Sequence, residues 1–261
     1  MPIIKCNDIN VYYEEHGEGE PLLFLNGLSS DIPKKMAFIS AAKKYFKIII
    51  PDIRGVGLTD KPEAPYSISQ FADDAFALLE HLAVKKINVA GFSMGGTIAI
   101  TMALTRPELV NRLILVSTKP AWRRPSTLSA EAERIFHTTD VSEQLLIDLF
   151  NVLYGPAYRK RVSAISYVKE RLSDKNPQPL HGYLNQLRAC EGFDMYDRIA
   201  EIFHPTLIVT GKNDILITPD NSVWLHEHIK GSKLVVYDGV GHMVPDEVPK
   251  EFAKDIEKFC G

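Results

Sequence analysis

Three scarcities frame this chain. Cysteine is rare: Cys6, Cys190 and Cys260 are far apart and odd in number. Neither a disulfide framework nor a cysteine zinc site is expected, and a reduced, cytoplasmic setting is the simplest reading. Positive charge is not in excess. A net charge of −3 argues against a nucleic-acid partner and gives no electrostatic reason to bind an anionic membrane. Long apolar runs are missing, and none approaches a membrane span. The start, Met1-Pro-Ile-Ile-Lys-Cys6, lacks the layout of a signal peptide. No internal repeat or low-complexity segment is visible. What remains is 261 residues, 45% hydrophobic and 24% charged, the composition of an ordinary globule able to bury a large core. That length favours one α/β domain with an insertion over two equal domains.

Short apolar runs alternate with helical spacing. Residues 2–15 read as two short strands with one wet face, the mark of an antiparallel edge. Leu22–Leu25, Lys47–Ile50, Lys86–Ala90 and Arg112–Val116 are too short for helices and read as strands buried on both faces. Helical spacing is expected over 33–45, over 71–82 behind a capping box at Ser67 and Gln70, and over 97–104. The alternation predicts a mostly parallel sheet of about eight strands flanked by helices, with right-handed crossovers. It breaks at Lys119. Until His204 only helical stretches are expected: 129–137, 141–153 opening at Asp140, 156–172 and 180–189. Strands resume at Pro205–Thr210 and Lys233–Tyr237, separated by a helix over 219–229, and a helix from Lys250 closes the chain. The expected division is a core of 1–118 and 205–261, with 119–204 inserted as an all-helical cap over the carboxyl ends of the strands.

The chemistry centres on Gly91-Phe92-Ser93-Met94-Gly95. A strand, then Gly-x-Ser-x-Gly, then a helix is the context of a nucleophile elbow. A serine nucleophile needs a base, an acid that orients the base, and donors for the developing oxyanion. Asp214 follows one late strand in Gly211-Lys-Asn-Asp214, and His242 follows the last in Gly239-Val-Gly-His242. Ser, acid, His is the order this architecture uses, and in a parallel sheet the loops after the strands gather at one edge. The expected catalytic residues are therefore Ser93, Asp214 and His242. The backbone N–H of Met94, at a helix N-terminus, is one expected oxyanion donor; that of Leu28, after the first buried strand, is the other. The remaining histidines fall on turns, helix faces or the insertion, and His226 and His228 face apart on their helix.

These motifs, with Asn26-Gly27 and Asp52-Ile-Arg54-Gly-Val-Gly57, resemble the α/β-hydrolase fold superfamily over nearly the whole chain. The resemblance implies that Asp52 and Arg54 are architectural. Some members place the acid after the strand that follows the elbow; here that place holds Ser117 and Thr118, which leaves Asp214. Asn26 stands where many members have His, a change that a main-chain donor tolerates. Asn26, Leu28 and Asp31, with Pro65-Tyr66 and Ala121-Trp122, resemble the 3-oxoadipate enol-lactonases in particular. The implied activity is a carboxylic ester hydrolase acting on an ester or lactone through an acyl-enzyme. Carbon–carbon bond hydrolysis stays open as an alternative, as does, in another class, a non-hydrolytic small-molecule receptor. No cofactor or metal is implied, and the expected partner is a small molecule. Asn26, Trp122, Phe150 and Tyr154 are the expected pocket residues, with Phe136, Leu149 and Leu153 as further wall candidates. The basic run Tyr158–Arg161 is read as a solvated face.

Overall fold

A computed structural model describes residues 2–126, 128–139 and 141–261; the helix start expected at Asp140 lies outside them. Eight strands form one sheet: β1 (Ile3–Cys6), β2 (Ile9–His16), β3 (Glu20–Leu25), β4 (Phe46–Pro51), β5 (Ile87–Phe92), β6 (Val110–Val116), β7 (Thr206–Gly211) and β8 (Lys233–Tyr237). Their order is β1-β2-β4-β3-β5-β6-β7-β8. β1 and β2 are antiparallel to their neighbours, and every other pair is parallel.

The sheet is covered on both faces, and its strands show why. Side chains alternate with period two. Leu23, Leu25, Ile49, Leu113, Leu115 and Ile208 pack into one apolar layer. Leu22, Phe24, Ile48, Ile50, Ile114 and Val116 pack into the other. A strand apolar at every position is what two layers of helices require. Helix α1 (Met36–Ala42) follows a 3-10 turn at Ile32–Lys35, so the helix expected from 33 is a tight turn and then a shorter helix. α2 (Ile68–His81) starts where Ser67 Oγ accepts the Gln70 N–H at 3.1 Å. α3 (Met94–Thr105) begins immediately after Ser93, earlier than the expected 97. It is buried almost all round, as suits a helix enclosed in the core.

Between β6 and β7 the described residues contain no strand, only an isolated bridge from Ala121 to Asp194. They form α4 (Ala130–His137), α5 (Glu143–Leu153), α6 (Pro156–Arg159), α7 (Ala164–Leu172) and α8 (Leu180–Glu191). The single helix expected over 156–172 is two. Ser163 turns its hydroxyl onto the Ser166 N–H at 3.2 Å and caps α7, the local competition with helical backbone at which serine excels. After β7 come α9 (Pro219–His228), then α10 (Val244–Glu247), a single turn that was not expected, and α11 (Pro249–Cys260). α1 and α11 cover one face through Phe38, Ile39, Phe252 and Ile256. α2, α3 and α9 cover the other through Phe71, Leu78, Ile98 and Leu225. Because β3, β5, β7 and β8 run in one direction, the loops leaving them meet along one edge.

Candidate active site

Ser93 stands between β5 and α3 with φ 54° and ψ −118°, a conformation that costs a non-glycine residue energy. The turn is held from several sides. The Ser93 N–H donates to Val116 O at 2.9 Å, and its carbonyl accepts from Gly96 N at 2.8 Å and from Thr118 Oγ1 at 2.8 Å. The glycines are steric requirements. A Cβ on Gly91 would collide with the Gly95 carbonyl, and one on Gly95 with the Leu25 carbonyl. Helix, elbow and β3 therefore pack backbone to backbone.

The loop after β3 runs past the elbow. A Cβ on Gly27 would lie 3.1 Å from Ser93 Cβ, so the next peptide, which carries the Leu28 N–H, is beside the serine. No acceptor among the described residues takes that N–H. The Met94 N–H is the first of its helix, where no intrahelical acceptor exists. Two donors are thus unclaimed beside Ser93.

Asp214 and His242 come together from loops 28 residues apart. His242 Nδ1 lies 2.8 Å from Asp214 Oδ2, and each residue is only 2% exposed. Asp214 Oδ1 accepts the N–H groups of Leu216 and Ile217, both at 2.9 Å. The carboxylate is thereby fixed and accepts only, so the proton sits on Nδ1 and leaves Nε2 as the basic nitrogen. The His242 ring packs on Phe92, centroids 5.1 Å apart, one residue before Ser93. No hydrogen bond joins Ser93 to His242. Both line a cavity of about 370 Å³.

The His242 loop is anchored partly by the insertion. Leu153 O accepts the N–H of His242 at 2.8 Å and of Met243 at 3.3 Å. Glu247 accepts Gly241 N at 2.9 Å and Gly155 N at 3.0 Å. Burial pushes the Glu247 carboxyl up to about 7, against the downward pull of those N–H bonds. On the other side, Gln186 of α8 accepts the Ser29 N–H at 3.1 Å and donates to Arg54 O at 2.8 Å. Asp52 accepts from Ile32 N and Leu58 N, and burial pushes its carboxyl up to about 6. Arg54 is clasped by Asp8 and Asp74. Asp52 and Arg54 face loops and partners, and neither lines the cavity around Ser93.

Of the four expected pocket residues, Tyr154 lines the cavity. Asn26, Trp122 and Phe150 are not among its lining residues. Asn26 opens the loop after β3 and is wholly buried, with neither amide atom partnered among the described residues. Trp122 packs on Phe136, and Phe150 on Tyr154 and Tyr167; aromatic contacts within the insertion absorb both rings. Phe136, Leu149 and Leu153 do line the cavity, as does Leu28. The Tyr158–Arg161 run stays outside it: Arg159 and Lys160 are exposed, and Arg161 donates to Glu247 O at 3.2 Å. His242 is the sole histidine among the lining residues. The other histidines bind elsewhere, as His137 to Glu191 and His204 to Pro107 O.

Lys35, Asp246, Gln178 and Arg171 also line the cavity, and sequence reasoning missed all four. Lys35 and Asp246 are ion-paired across 211 residues, and no spacing rule reaches that far. Among the described residues there is no group of three or more His, Cys, Asp or Glu able to hold a metal ion, and no helix long and apolar enough to cross a membrane.

With this geometry in hand, comparison with known proteins places the chain. The family model described as the alpha/beta hydrolase fold matches residues 20–249. A protein of Azorhizobium caulinodans, provisionally named a carbamate hydrolase, is 28% identical over all of this chain and 98% of its own length. 3-Oxoadipate enol-lactonase 2 of Acinetobacter baylyi is 26% identical, covering 97% of this chain and 94% of the relative. Among solved structures, the enol-lactonase of Burkholderia xenovorans LB400 superposes with a TM-score of 0.86 at 23% identity, covering 99% of both chains. The eight-stranded sheet, the strand–serine–helix turn and the family match agree, and the chain belongs to the α/β hydrolase fold family.

Proposed function

We propose that this protein is a serine hydrolase that cleaves a carboxylic ester or lactone through an acyl-enzyme. The observation that carries the reading is the buried Asp214–His242 hydrogen bond opening onto the same cavity as Ser93. Ser93 Oγ attacks the carbonyl carbon as its proton passes to His242 Nε2. The new oxyanion is met by the N–H groups of Leu28 and Met94. Collapse expels the leaving alkoxide, which takes the proton back from Nε2. Water then attacks the acyl group with His242 again as base, releasing the acid and restoring Ser93. Asp214 stays ionised and holds the ring in the tautomer that leaves Nε2 basic.

Relatives support a carbonyl carbon bonded to a heteroatom as the point of attack. Their names describe an enol-lactonase, a carbamate hydrolase and a hydrolase of (E)-2-((N-methylformamido)methylene)succinate. A neighbour 27% identical degrades N-acyl homoserine lactones. The segment 119–204 acts as the cap, supplying Phe136, Leu149, Leu153 and Tyr154 to the chamber. The test is a panel of nitrophenyl esters of increasing acyl length beside an enol-lactone and a ring-cleavage dienoate. Turnover of an ester or lactone that disappears in Ser93→Ala is the expected result. Turnover of the dienoate alone, or activity that survives in Ser93→Ala, would sink the reading.

A further inference from the structure

The wall of the cavity beside His242 carries a charged pair that the proposed chemistry does not use. Lys35, at the end of the 3-10 turn after β3, places Nζ 2.9 Å from Oδ1 and 3.0 Å from Oδ2 of Asp246, on the single turn α10. The Lys35 side chain is 0% exposed and that of Asp246 12%. Lysine is therefore the backing and aspartate the face presented to the chamber. Lys35 Nζ also lies 5.2 Å from the Phe92 ring centroid, and Phe92 packs on His242, so the pair is one ring away from the reacting residues. Tyr154, which lines the same cavity, is beside Asp246: burial pushes the Asp246 carboxyl upward, while Lys35, Tyr154 and His242 pull it back.

A buried ion pair is a poor way to stabilise a fold. The cost of drying two charges consumes most of their attraction, and an apolar pair of similar volume often does as well. Its position in a substrate chamber gives it another use. We propose that Asp246, held by Lys35, is a specificity-determining acceptor for a neutral hydrogen-bond donor on the substrate, a hydroxyl or amide N–H. The carboxylate has about four lone-pair positions, and Lys35 and Tyr154 do not exhaust them. The ammonium behind it cancels its charge, so a substrate cation gains little there. A substrate carboxylate at this place brings only acceptors to an acceptor, and an alkyl group leaves the acceptor unfilled, which is how hydrogen-bonding sites reject analogues. The other charged lining groups include some near the pair: Glu170 and Arg171 act on Tyr167 together with Asp246. Lys34 is bridged to Asp31 and Asp174, and Glu170 and Arg171 project from α7.

The proposal rests on the cavity being the substrate chamber, but not on turnover. In the Ser93→Ala background, binding of matched nitrophenyl esters ending in hydroxyl, methyl or carboxylate is measured by calorimetry over several chain lengths. At the best length the hydroxyl series is expected to bind at least tenfold more tightly than the other two. Asp246→Asn keeps an acceptor and removes the charge, so it should narrow the penalty on the carboxylate series. The apolar double change Lys35→Met with Asp246→Leu, its fold checked by circular dichroism, should abolish the hydroxyl preference and make the methyl series tightest. Equal binding of hydroxyl and methyl series, or a hydroxyl preference that survives the double change, would overturn the proposal. So would tightest binding by the carboxylate series, which would shift recognition to Arg171. Hydroxyl-selective binding without hydrolysis by the Ser93 protein would instead sink the serine-hydrolase reading and leave the subsite standing.

Discussion

The sheet edge and the helical insertion meet at the same cavity but are built on different principles. At the edge, each key group is set by backbone. Ser93 is pinned by a strained turn whose neighbouring glycines admit no Cβ, and Asp214 by two N–H groups of its own loop. In the insertion, positions are set by side chains packing on side chains: Phe150 on Tyr154 and Tyr167, Tyr154 on Tyr158, Trp122 on Phe136. Backbone placement tolerates little variation. Side-chain placement can be repacked for another substrate, and so the proposed function assigns the chemistry to the edge and the choice of substrate to the insertion.

That contrast orders the expected effects of mutation. Ser93→Ala should lower kcat by roughly 10⁵–10⁶-fold with ligand affinity retained, as removal of a serine nucleophile does elsewhere; single-turnover kinetics with a competing ligand reads both. Asp214→Asn should cost about 10⁴-fold in kcat, because an amide can hold the imidazole in the wrong tautomer. A loss under tenfold would mean that the edge is less dependent on Asp214 than its geometry implies. Gln186→Leu cuts the tie between α8 and the β3 loop and leaves the Ser29 N–H and Arg54 O unpaired. It should destabilise by about 1–3 kcal/mol in urea melts and lower kcat more than it raises KM. An unchanged kcat would show that the insertion does not position the Leu28 peptide.

Glu247 gives the same comparison a pH axis. Its carboxyl titrates at about 7 in the fold, above its ordinary 4.5. The folded state therefore binds a proton that the unfolded chain has released. The associated stability is full below about 4.5 and is lost as pH rises through 7. The change is on the order of 1–3 kcal/mol, since each pKa unit is worth about 1.4. Glu247→Gln should flatten unfolding free energy between pH 5 and 8, and a slope equal to that of the parent would assign the titration elsewhere, Asp52 being the next candidate. The smallest effect is expected in the wall. Phe136→Ala should move chain-length preference toward longer acyl groups by roughly tenfold in kcat/KM, the scale of a few methylenes in an apolar pocket, with kcat for short esters nearly unchanged.

Legibility in the sequence follows the same division. The strands could be read because burial on both faces leaves unbroken apolar runs such as Leu22–Leu25, and because Gly91 and Gly95 mark a turn that only glycine fits. The meeting of Asp214 with His242 could be anticipated because both end parallel strands. The cavity wall could be read only in part: Phe136, Leu149, Leu153 and Tyr154 reach it and Asn26, Trp122 and Phe150 do not. Helical spacing shows that α5 has an apolar face, but whether Phe150 or Leu149 reaches the chamber depends on how α5 packs on α7. Lys35 reads as one more lysine in Pro33-Lys34-Lys35, and its burial against Asp246 is a tertiary event. The break at 160–163 turns on a serine cap that an apolar pattern does not register.

The two hydrogen bonds that Leu153 O accepts from His242 and Met243 tie the end of α5 to the loop that carries His242. An insertion fastened in this way is not a lid free to lift as one piece. Detaching residues 153–155 would break both bonds and free the backbone of the His242 loop, so the insertion and that loop are coupled in any movement.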